Sequence, residues 1–566
     1  MLICGVKVTH DGSVALIENG RLITSVEIEK LDNRSRYTDL TDTALIARVL
    51  AGHGLSPTDV DTFVVDGWGY GGPSEVVTQA DESPLTLTVA PYREDNLQDD
   101  SLAVYRFEGL RVGAKEYPYH SYHHTTGHIM SAYCTSPFAA RREPAFVVVW
   151  DGGVLPRGYL VRPHGAVENL GPIFGLIGNV YATFAMHFAP FRPEDLGVPT
   201  DQLPYQQLSV PGKVMAYVAK GVVRPDLCRV FDEIYRDELD ISLDFATTFS
   251  RSFLSRTARM TVRPEDALAS MQHWLGERLV ESLREMRALL PNSPASLCFA
   301  GGCALNIKWN SRIRASGVFD EVYIPPFPND SGSAIGAACA EWTRSTGTPD
   351  LAWSVYSGPA LAYGKYDGDG YGYTRRPLDV EGLAALLHLT GEPVVALHGA
   401  AELGPRALGN RSIVAPATQP GMKDRLNHIK GREAYRPVSP ICLVDQAPEV
   451  FDPGTPDPFM LFDHRVRPAW IDRIPAVLHL DNSARLQTVD PATNPVLGAL
   501  LSAYHRLSGV PVLCNTSANL HGSGFFPDVP SALRWGRSRY VWSDGWLWER
   551  PADQRDIPTP SEGNAV

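Results

Sequence analysis

No apolar run in the 566 residues approaches the ~20 needed to cross a bilayer, so no membrane partner is expected. The start, MLICGVKVTHDG, reaches His10 and Asp11 with no apolar stretch behind a basic one, unlike a signal peptide. The eight cysteines (Cys4, Cys134, Cys228, Cys298, Cys303, Cys339, Cys442 and Cys514) never form C-x-x-C, which argues against zinc-ribbon and thioredoxin chemistry. Most sit in apolar strings such as SLCFAGGC and PICLV, the habit of buried free thiols in a reducing cytoplasm. A basic surplus is also missing: Lys+Arg 51 against Asp+Glu 64 leaves a net charge of −13. Non-specific nucleic-acid binding needs the opposite balance, so no nucleic-acid partner is expected. An anionic substrate would need a locally basic pocket inside this acidic envelope. Gly 49 and Pro 45 are too few for a low-complexity chain, and the sequence has no internal repeat. These absences leave a soluble, cytoplasmic, multidomain protein.

What is present alternates strand, glycine loop and helix, which points to an α/β architecture. LICGVKV and SVALIENGRLITSVEIEK read as strands, and Asn19-Gly20 between β-rich runs signals a hairpin. AFVVVW (145 to 150) runs into Asp151-Gly152-Gly153. Residues 263 to 290 form the clearest helix. Pro264 suits its first turn, and Leu268, Met271, Leu275, Leu279, Leu283 and Met286 recur at steps of three or four. SLCFA (296 to 300) enters Gly301-Gly302, and EVYIPP leads to PNDSGSAIGAACAEW, a helix with Asp330 or Ser331 as its expected cap. The expected organisation is a first domain over 1–345, a linker region over 346–380, a second domain over 381–552 and a tail over 553–566.

Three constellations carry chemistry. His124-x-x-x-His128 places two imidazoles on one helix face. Asp151 follows a buried strand and Asp330 precedes a helix, positions that cluster at the carboxyl edge of a sheet where ligands bind. In plain structural terms the histidines are core or surface residues, Asp151 a turn residue and Asp330 a helix cap. As a set, His₂Asp₂ suits iron, manganese or zinc rather than calcium. The second constellation is three glycine-containing loops, His10-Asp11-Gly12-Ser13, Pro211-Gly212-Lys213 and Gly301-Gly302-Cys303-Ala304-Leu305-Asn306. Backbone N–H groups in such loops can hold phosphate, though most are only turns. The first has the form of the phosphate loop that opens actin-like ATPase domains. The third is a basic cluster, Arg406, Arg411, Lys423, Arg425, Lys430, Arg432 and Arg436. It is either a solvated helix face paired with Asp424 and Glu433 or a pocket for polyanions. Asn515-Thr516-Ser517-Ala518-Asn519 after a buried strand offers further donors.

HDGSVAL, HHTTGH, PGKVMAYVAKG, FAGGCALN, PNDSGSAIGAA, GPRALGNRSI, MKDRLNHIKGREAYRP, DNSARLQTV and VPVLCNTSAN occur in that order. The set resembles the ATP-dependent O-carbamoyltransferases of natural-product biosynthesis, such as the nodulation-factor, cephamycin and tobramycin carbamoyltransferases. The resemblance covers nearly the whole chain. It implies an N-terminal actin-like (ASKHA, TsaD-like) domain, similar to the tRNA threonylcarbamoyl-transferring proteins, and a C-terminal YrdC/Sua-like α/β domain. It implies that carbamoyl phosphate and ATP give carbamoyl adenylate and pyrophosphate in the second domain. A hydroxyl of a natural product, such as a sugar hydroxyl of an antibiotic, then takes the carbamoyl group in the first, and AMP leaves. Carried over by resemblance, the metal ligands are His124, His128, Asp151 and Asp330, with Fe2+ expected first and Mn2+ or Zn2+ as alternatives. Carbamoyl phosphate and the adenylate fall to Arg406, Lys430, Arg436, Arg485, Ser517 and Asn519, of which Lys430 and Arg436 are also catalytic. Lys213, Gly301, Gly302 and Asn306 are the expected nucleotide residues of the first domain, and His10 lies near the acceptor hydroxyl. Mg2+ accompanies ATP, and a homodimer is compatible with the resemblance. The family string Phe-Arg-Pro-Phe-Ala-Pro reads Tyr435-Arg436-Pro437-Val438-Ser439-Pro440 here, and Ala518 stands where many relatives have Phe.

Competing readings differ in products or composition. An actin-fold ATP-dependent kinase of a small metabolite would release ADP and leaves the basic cluster and NTSAN unexplained. Transfer of a carbamoyl group to tRNA is opposed by the net charge. Hydrogenase maturation proteins need C-x-x-C pairs. A sugar-binding regulator would show no ATP turnover with carbamoyl phosphate. Residues 66 to 100, with GWGYGGP, and 181 to 207, with Tyr181, Phe184, Phe188, Phe191 and Tyr205, are candidates for an acceptor cleft or for core.

Overall fold

The computed structural model describes residues 1–197, 203–240, 242, 244–290, 293–362, 371–520 and 522–551. The expected tail and residues 363–370 of the expected linker lie outside them, as does the side chain of Tyr205. The chain forms two compact units. The first holds Met1–Ile28, Tyr37–Ser357 and Leu403–Pro405; the second holds Glu29–Arg36, Gly358–Glu402 and Arg406–Val566.

The first unit contains two sheets. One uses β1 (Leu2–Lys7), β2 (Ser13–Glu18), β3 (Arg21–Glu27) and β4 (Thr62–Asp66), then, beyond the hairpin β5 (Ser74–Ala80) and β6 (Ser83–Val89), β7 (Tyr105–Val112) and β8 (Lys115–Tyr122). Its order is β3-β2-β1-β4-β8-β7. The other uses β9 (Ala145–Val149), β10 (Arg157–Val161), β11 (Val167–Pro172), β12 (Ser296–Ala300) and β13 (Glu321–Tyr323), in the order β11-β10-β9-β12-β13. In each, an antiparallel meander of three strands is joined through its first strand to two parallel ones. This doubled half is the actin-like plan. The fold therefore repeats although the sequence does not.

Local chemistry accounts for these elements. Asn19 and Gly20, both at positive φ (47° and 77°), turn β2 into β3. The long helix expected from the leucine stripe spans Pro264–Ala288. Two helices packed on each other, His124–Cys134 and Ser333–Thr346, approach closely because glycines meet there. A β-carbon on Gly336 would lie 1.7 Å from the Gly127 carbonyl oxygen, and one on Gly5 would lie 2.1 Å from that of Ala334. Any larger residue at these points would force the elements apart.

Two expectations are corrected. Neither Asp330 nor Ser331 caps the helix Ser333–Thr346: its N-cap is Gly332, and a short 3₁₀ turn, Asp330–Gly332, precedes it. That turn leaves the Asp330 carboxylate available for other partners. Pro211-Gly212-Lys213 is not a loop, because it lies inside the helix Leu203–Tyr217. Val210, Val214 and Tyr217 bury one side of that helix at helical spacing, and this outweighs the local Pro-Gly signal.

The second unit is built on a mixed sheet. Its strands are β14 (Thr374–Pro377), β15 (Val394–Leu397), β16 (Arg411–Pro416), β17 (Ser439–Leu443), β21 (Gln487–Val489), β22 (Val512–Ser517), β23 (Tyr540–Ser543) and β24 (Trp546–Glu549). The order is β14-β24-β23-β15-β16-β22-β17-β21. A small sheet of β18 (Phe451–Asp452), β19 (His464–Val466) and β20 (Ser483–Ala484) accompanies it. Helices Val380–Thr390 and Pro495–Ser508 pack together and bury one apolar core with the sheet.

Candidate active sites

In the first unit four donors converge. His124 and His128 lie one helical turn apart, and their Nε2 atoms are 3.1 Å from each other. Each is 3.4 Å from Asp330 Oδ1. Asp151 Oδ1 lies 4.0 Å from His128 Nε2. One donor atom from each of the four residues falls within 4.8 Å of the others, and all four residues are buried. This set could hold a metal ion, since imidazole and carboxylate together suit a first-row divalent metal. The surroundings hold each ligand in place. Asp66 Oδ2 lies 2.7 Å from His124 Nδ1, which directs Nε2 toward the cluster. Asp151 Oδ1 accepts from the Gly302 N–H at 2.7 Å and Oδ2 from the Tyr92 hydroxyl at 2.7 Å.

Lys7, 1% exposed at the end of β1, is paired with Asp66 Oδ2 at 2.9 Å and Asp330 Oδ2 at 3.0 Å. Burial works against its cation, but Asp330 and Asp66 outweigh that and raise its pKa. Burial likewise opposes the Asp330 carboxylate, yet Lys7, His124 and His10 hold it well below the usual range. Lys7 thus engages Oδ2 of Asp330 while His124 and His128 face Oδ1, the oxygen turned toward the cluster.

His10 stands beside this group. Its Nε2 is 3.5 Å from Asp330 Oδ2, and its Nδ1 is 3.2 Å from Asp11 Oδ2. Asp11 has φ of 58°, a left-handed conformation that Asp tolerates better than most residues. An aromatic strip adjoins. Trp68 meets the His10 ring edge-on at 5.4 Å, and Tyr70, 49% exposed, stacks on Tyr92 at 5.1 Å. The candidate aromatics Tyr181, Phe184 and Phe191 are instead buried core.

Two of the expected nucleotide residues, Gly302 and Asn306, have partners within this unit. The Gly302 N–H is taken by Asp151. Asn306 caps the helix Ile307–Ala315 and exchanges two hydrogen bonds with Gln272. Gly301, at φ of 88°, is glycine because a β-carbon would lie 2.4 Å from the Trp150 backbone.

In the second unit the basic cluster divides. Arg411, 1% exposed, is structural: it donates to the carbonyls of His398, Asn410 and Gly399. Arg425 pairs with Glu392 on the surface. Arg406 is half-buried ahead of β16. Lys430, Arg432 and Arg436 form one group, which Arg485 joins from outside the cluster. Lys430 Nζ donates to the Ser517 carbonyl at 2.5 Å, to Ser517 Oγ at 3.2 Å and to Asn519 Oδ1. Burial, then Arg432, Arg36 and Arg436, hold the Lys430 pKa well below the ordinary lysine value. Burial, then Arg436 and Arg432, lower Arg485 from the ordinary arginine range to about 10. Asn427 braces the intervening turn by donating to the carbonyls of Ala434 and Arg436. Crowded like charges of this kind are what a polyanion relieves.

Comparison with known proteins identifies the family. "Carbamoyltransferase N-terminus" matches residues 2–339 and "Carbamoyltransferase C-terminus" residues 385–540. The chain belongs to the carbamoyltransferase family. It is an enzyme of that type. It is 44% identical to Nodulation protein U of Bradyrhizobium diazoefficiens over 99% of both chains, and 47% identical to Nodulation protein U of Rhizobium tropici over 97% of this chain and 96% of that one. The 3'-hydroxymethylcephem-O-carbamoyltransferase of Streptomyces clavuligerus is 34% identical over 96% of this chain and 97% of its own. Among solved structures, full-length HypF in its phosphate- and nucleotide-bound form matches 62% of this chain and 47% of its own, at 11% identity and a TM-score of 0.33.

Sequence reasoning about this carbamoyltransferase missed Lys7, Asp66 and Tyr92. Lys7 is a charged residue in an otherwise apolar strand, which was the available signal. Asp66 and Tyr92 reach the site only through the fold. No helix of the described residues is long and apolar enough to cross a membrane.

Proposed function

We propose that this carbamoyltransferase works in two half-reactions. At the Lys430 group, carbamoyl phosphate gives up its phosphoryl group to water as orthophosphate. The carbamate oxygen then attacks the α-phosphorus of ATP, pyrophosphate leaves, and carbamoyl adenylate forms. At the His10 group, a hydroxyl of a natural-product acceptor attacks the carbamoyl carbon, the acyl–phosphate bond breaks, and AMP leaves. The observation that carries this reading is the buried Lys430, fixed by Ser517 and Asn519 and surrounded by arginines. Arg436 and Arg485 offer forked donors to phosphate oxygens, and Lys430 a compact charge. The second substrate class is supported by the cephem relative, whose name specifies a hydroxymethyl acceptor.

In the first unit His124, His128, Asp151 and Asp330 would hold a divalent metal, for which Fe2+ is proposed. Such an ion supplies Lewis-acid polarisation of a carbonyl or phosphoryl oxygen. In its neutral form, with the Nδ1–H donated to Asp11, His10 presents Nε2 as the base that takes the proton of the attacking hydroxyl. Trp68 and Tyr70 offer faces on which an acceptor ring can rest.

The test of the reading is product stoichiometry. With acceptor present, one AMP, one pyrophosphate and one orthophosphate should appear per carbamoylated product, whereas ADP would mark a kinase. His10→Asn separates the halves. It should keep pyrophosphate release and lose about 10²–10⁴-fold in single-turnover transfer from preformed adenylate. A near-normal rate from the folded variant would remove His10 from the mechanism.

A further inference from the structure

The second unit contains a piece of the N-terminal sequence. Residues Glu29–Arg36 belong to it, while Ile28 and Tyr37 on either side belong to the first unit. The segment docks by its backbone on the turn that follows Asn519. The Arg36 N–H donates to the Gly522 carbonyl at 2.9 Å, and the Gly524 N–H donates to the Arg34 carbonyl at 3.0 Å. Ser35 and Ser523 form an antiparallel bridge. Gly524 is needed for this closeness, because a β-carbon there would lie 2.0 Å from the Glu29 carbonyl oxygen. Side chains fasten both ends. Lys30 donates to the Glu402 carbonyl at 2.7 Å and lies 4.7 Å from the Phe525 ring centre, and Asn33 donates to Ser531 Oγ at 2.9 Å.

The same turn holds the anion site. Asn519 Nδ2 donates to the Ser523 carbonyl at 2.7 Å, and its Oδ1 accepts from Lys430. Ser523 is therefore shared between the residue that fixes Lys430 and the segment that carries Arg36. The Arg36 side chain is 35% exposed, and its Nε is 3.9 Å from Glu29 Oε1. Its charge reaches Lys430, where it adds to the field of Arg432.

We infer that residues 29–36 form a wall of the anion site and that Arg36 binds the polyphosphate of the nucleoside triphosphate. The assignment rests on the reading of the Lys430 group as the adenylate-forming site. Lys430 is 7% exposed and tied to Ser517 and Asn519, which suits a short, deeply placed dianion such as carbamoyl phosphate. A triphosphate is longer and needs cations from the buried group outward. Arg36 is the partly exposed member, with a guanidinium fork matched to adjacent phosphate oxygens.

The experiment uses the full-length protein with Arg36→Gln, Arg36→Lys and Arg436→Ala. Carbamoyl-phosphate-dependent ATP–pyrophosphate exchange is measured as either substrate is varied, with folding checked by thermal melting. Arg36→Gln should raise the KM for ATP by about 10–100-fold, the worth of a lost charge-assisted hydrogen bond, while the KM for carbamoyl phosphate stays within about threefold. Arg36→Lys should recover part of that loss. An unchanged KM for ATP in Arg36→Gln, with exchange lost in Arg436→Ala, would overturn the role of Arg36 and leave the site standing. A change confined to carbamoyl phosphate would also overturn it. Normal exchange in both variants would overturn the site itself. Should Arg36→Gln melt early, Arg36→Lys decides: a wild-type KM for ATP from the folded lysine variant overturns a forked contact.

Discussion

Arg436→Ala should lower carbamoyl-phosphate-dependent ATP–pyrophosphate exchange by about 30-fold or more, equivalent to about 2 kcal/mol or more for a charge paired with a desolvated phosphate. Arg436 is the residue whose charge is felt at Lys430, Arg432 and Arg485 alike, which places it amid the group. Its ion pair with Glu433, at 3.7 Å, is long and half-exposed, so its loss should leave the fold intact. The same crowding has a pH signature. Lys430 is held below its ordinary pKa by burial first and by its arginine neighbours next. A dianion placed among them favours the charged lysine, so binding takes up a proton. Affinity for carbamoyl phosphate should then strengthen as pH falls from the ordinary lysine range toward the depressed value. Calorimetry in buffers of different ionisation enthalpy reads the proton directly. Exchange within a few-fold of wild type in Arg436→Ala, or no proton uptake, would count against the site.

Asp330→Ala should abolish acceptor carbamoylation and metal retention while pyrophosphate release continues. Asp330 faces both imidazoles with one oxygen and Lys7 with the other, so its removal unbalances the whole cluster. Breaking a buried ion pair typically costs ~3–5 kcal/mol, and the surviving Asp66–Lys7 pair should soften that loss. Asp330→Asn keeps the shape and guards against a folding failure. Metal analysis of both variants, beside single-turnover transfer, gives the outcome. Full metal occupancy in either folded variant would refute the ligand set.

The strands and the long helix were legible because their apolar periodicity is decided locally. The hairpin at Asn19-Gly20 and the helix Pro264–Ala288 needed only neighbouring residues. The Pro211-Gly212-Lys213 stretch was misjudged for the same reason: its turn residues outvoted a weak stripe that became decisive once Val210 and Val214 were buried. Asp330 was offered as both ligand and cap, and only the fold, through Gly332 at the cap, separated the two roles. Lys7, Asp66 and His124 lie far apart in sequence, and their meeting depends on β1 and β4 being parallel neighbours. In the second unit the density of cations was visible, but not its division. Arg411 is spent on carbonyls, Arg425 on the surface, and Arg432 joins Lys430 through a turn braced by Asn427. Arg36 could not be associated with that group from sequence, since almost four hundred positions separate it from Lys430.

The central claim is that an activated carbamoyl group is made with AMP as its carrier before any acceptor is present. Incubating wild-type protein with radiolabelled pyrophosphate, ATP and carbamoyl phosphate, but no acceptor, tests it most directly. The account predicts label in ATP only when carbamoyl phosphate is supplied, with exchange kept in Asp330→Ala and lost in Arg436→Ala. Absence of carbamoyl-phosphate-dependent exchange in the wild type, with ADP formed once acceptor is added, would contradict it.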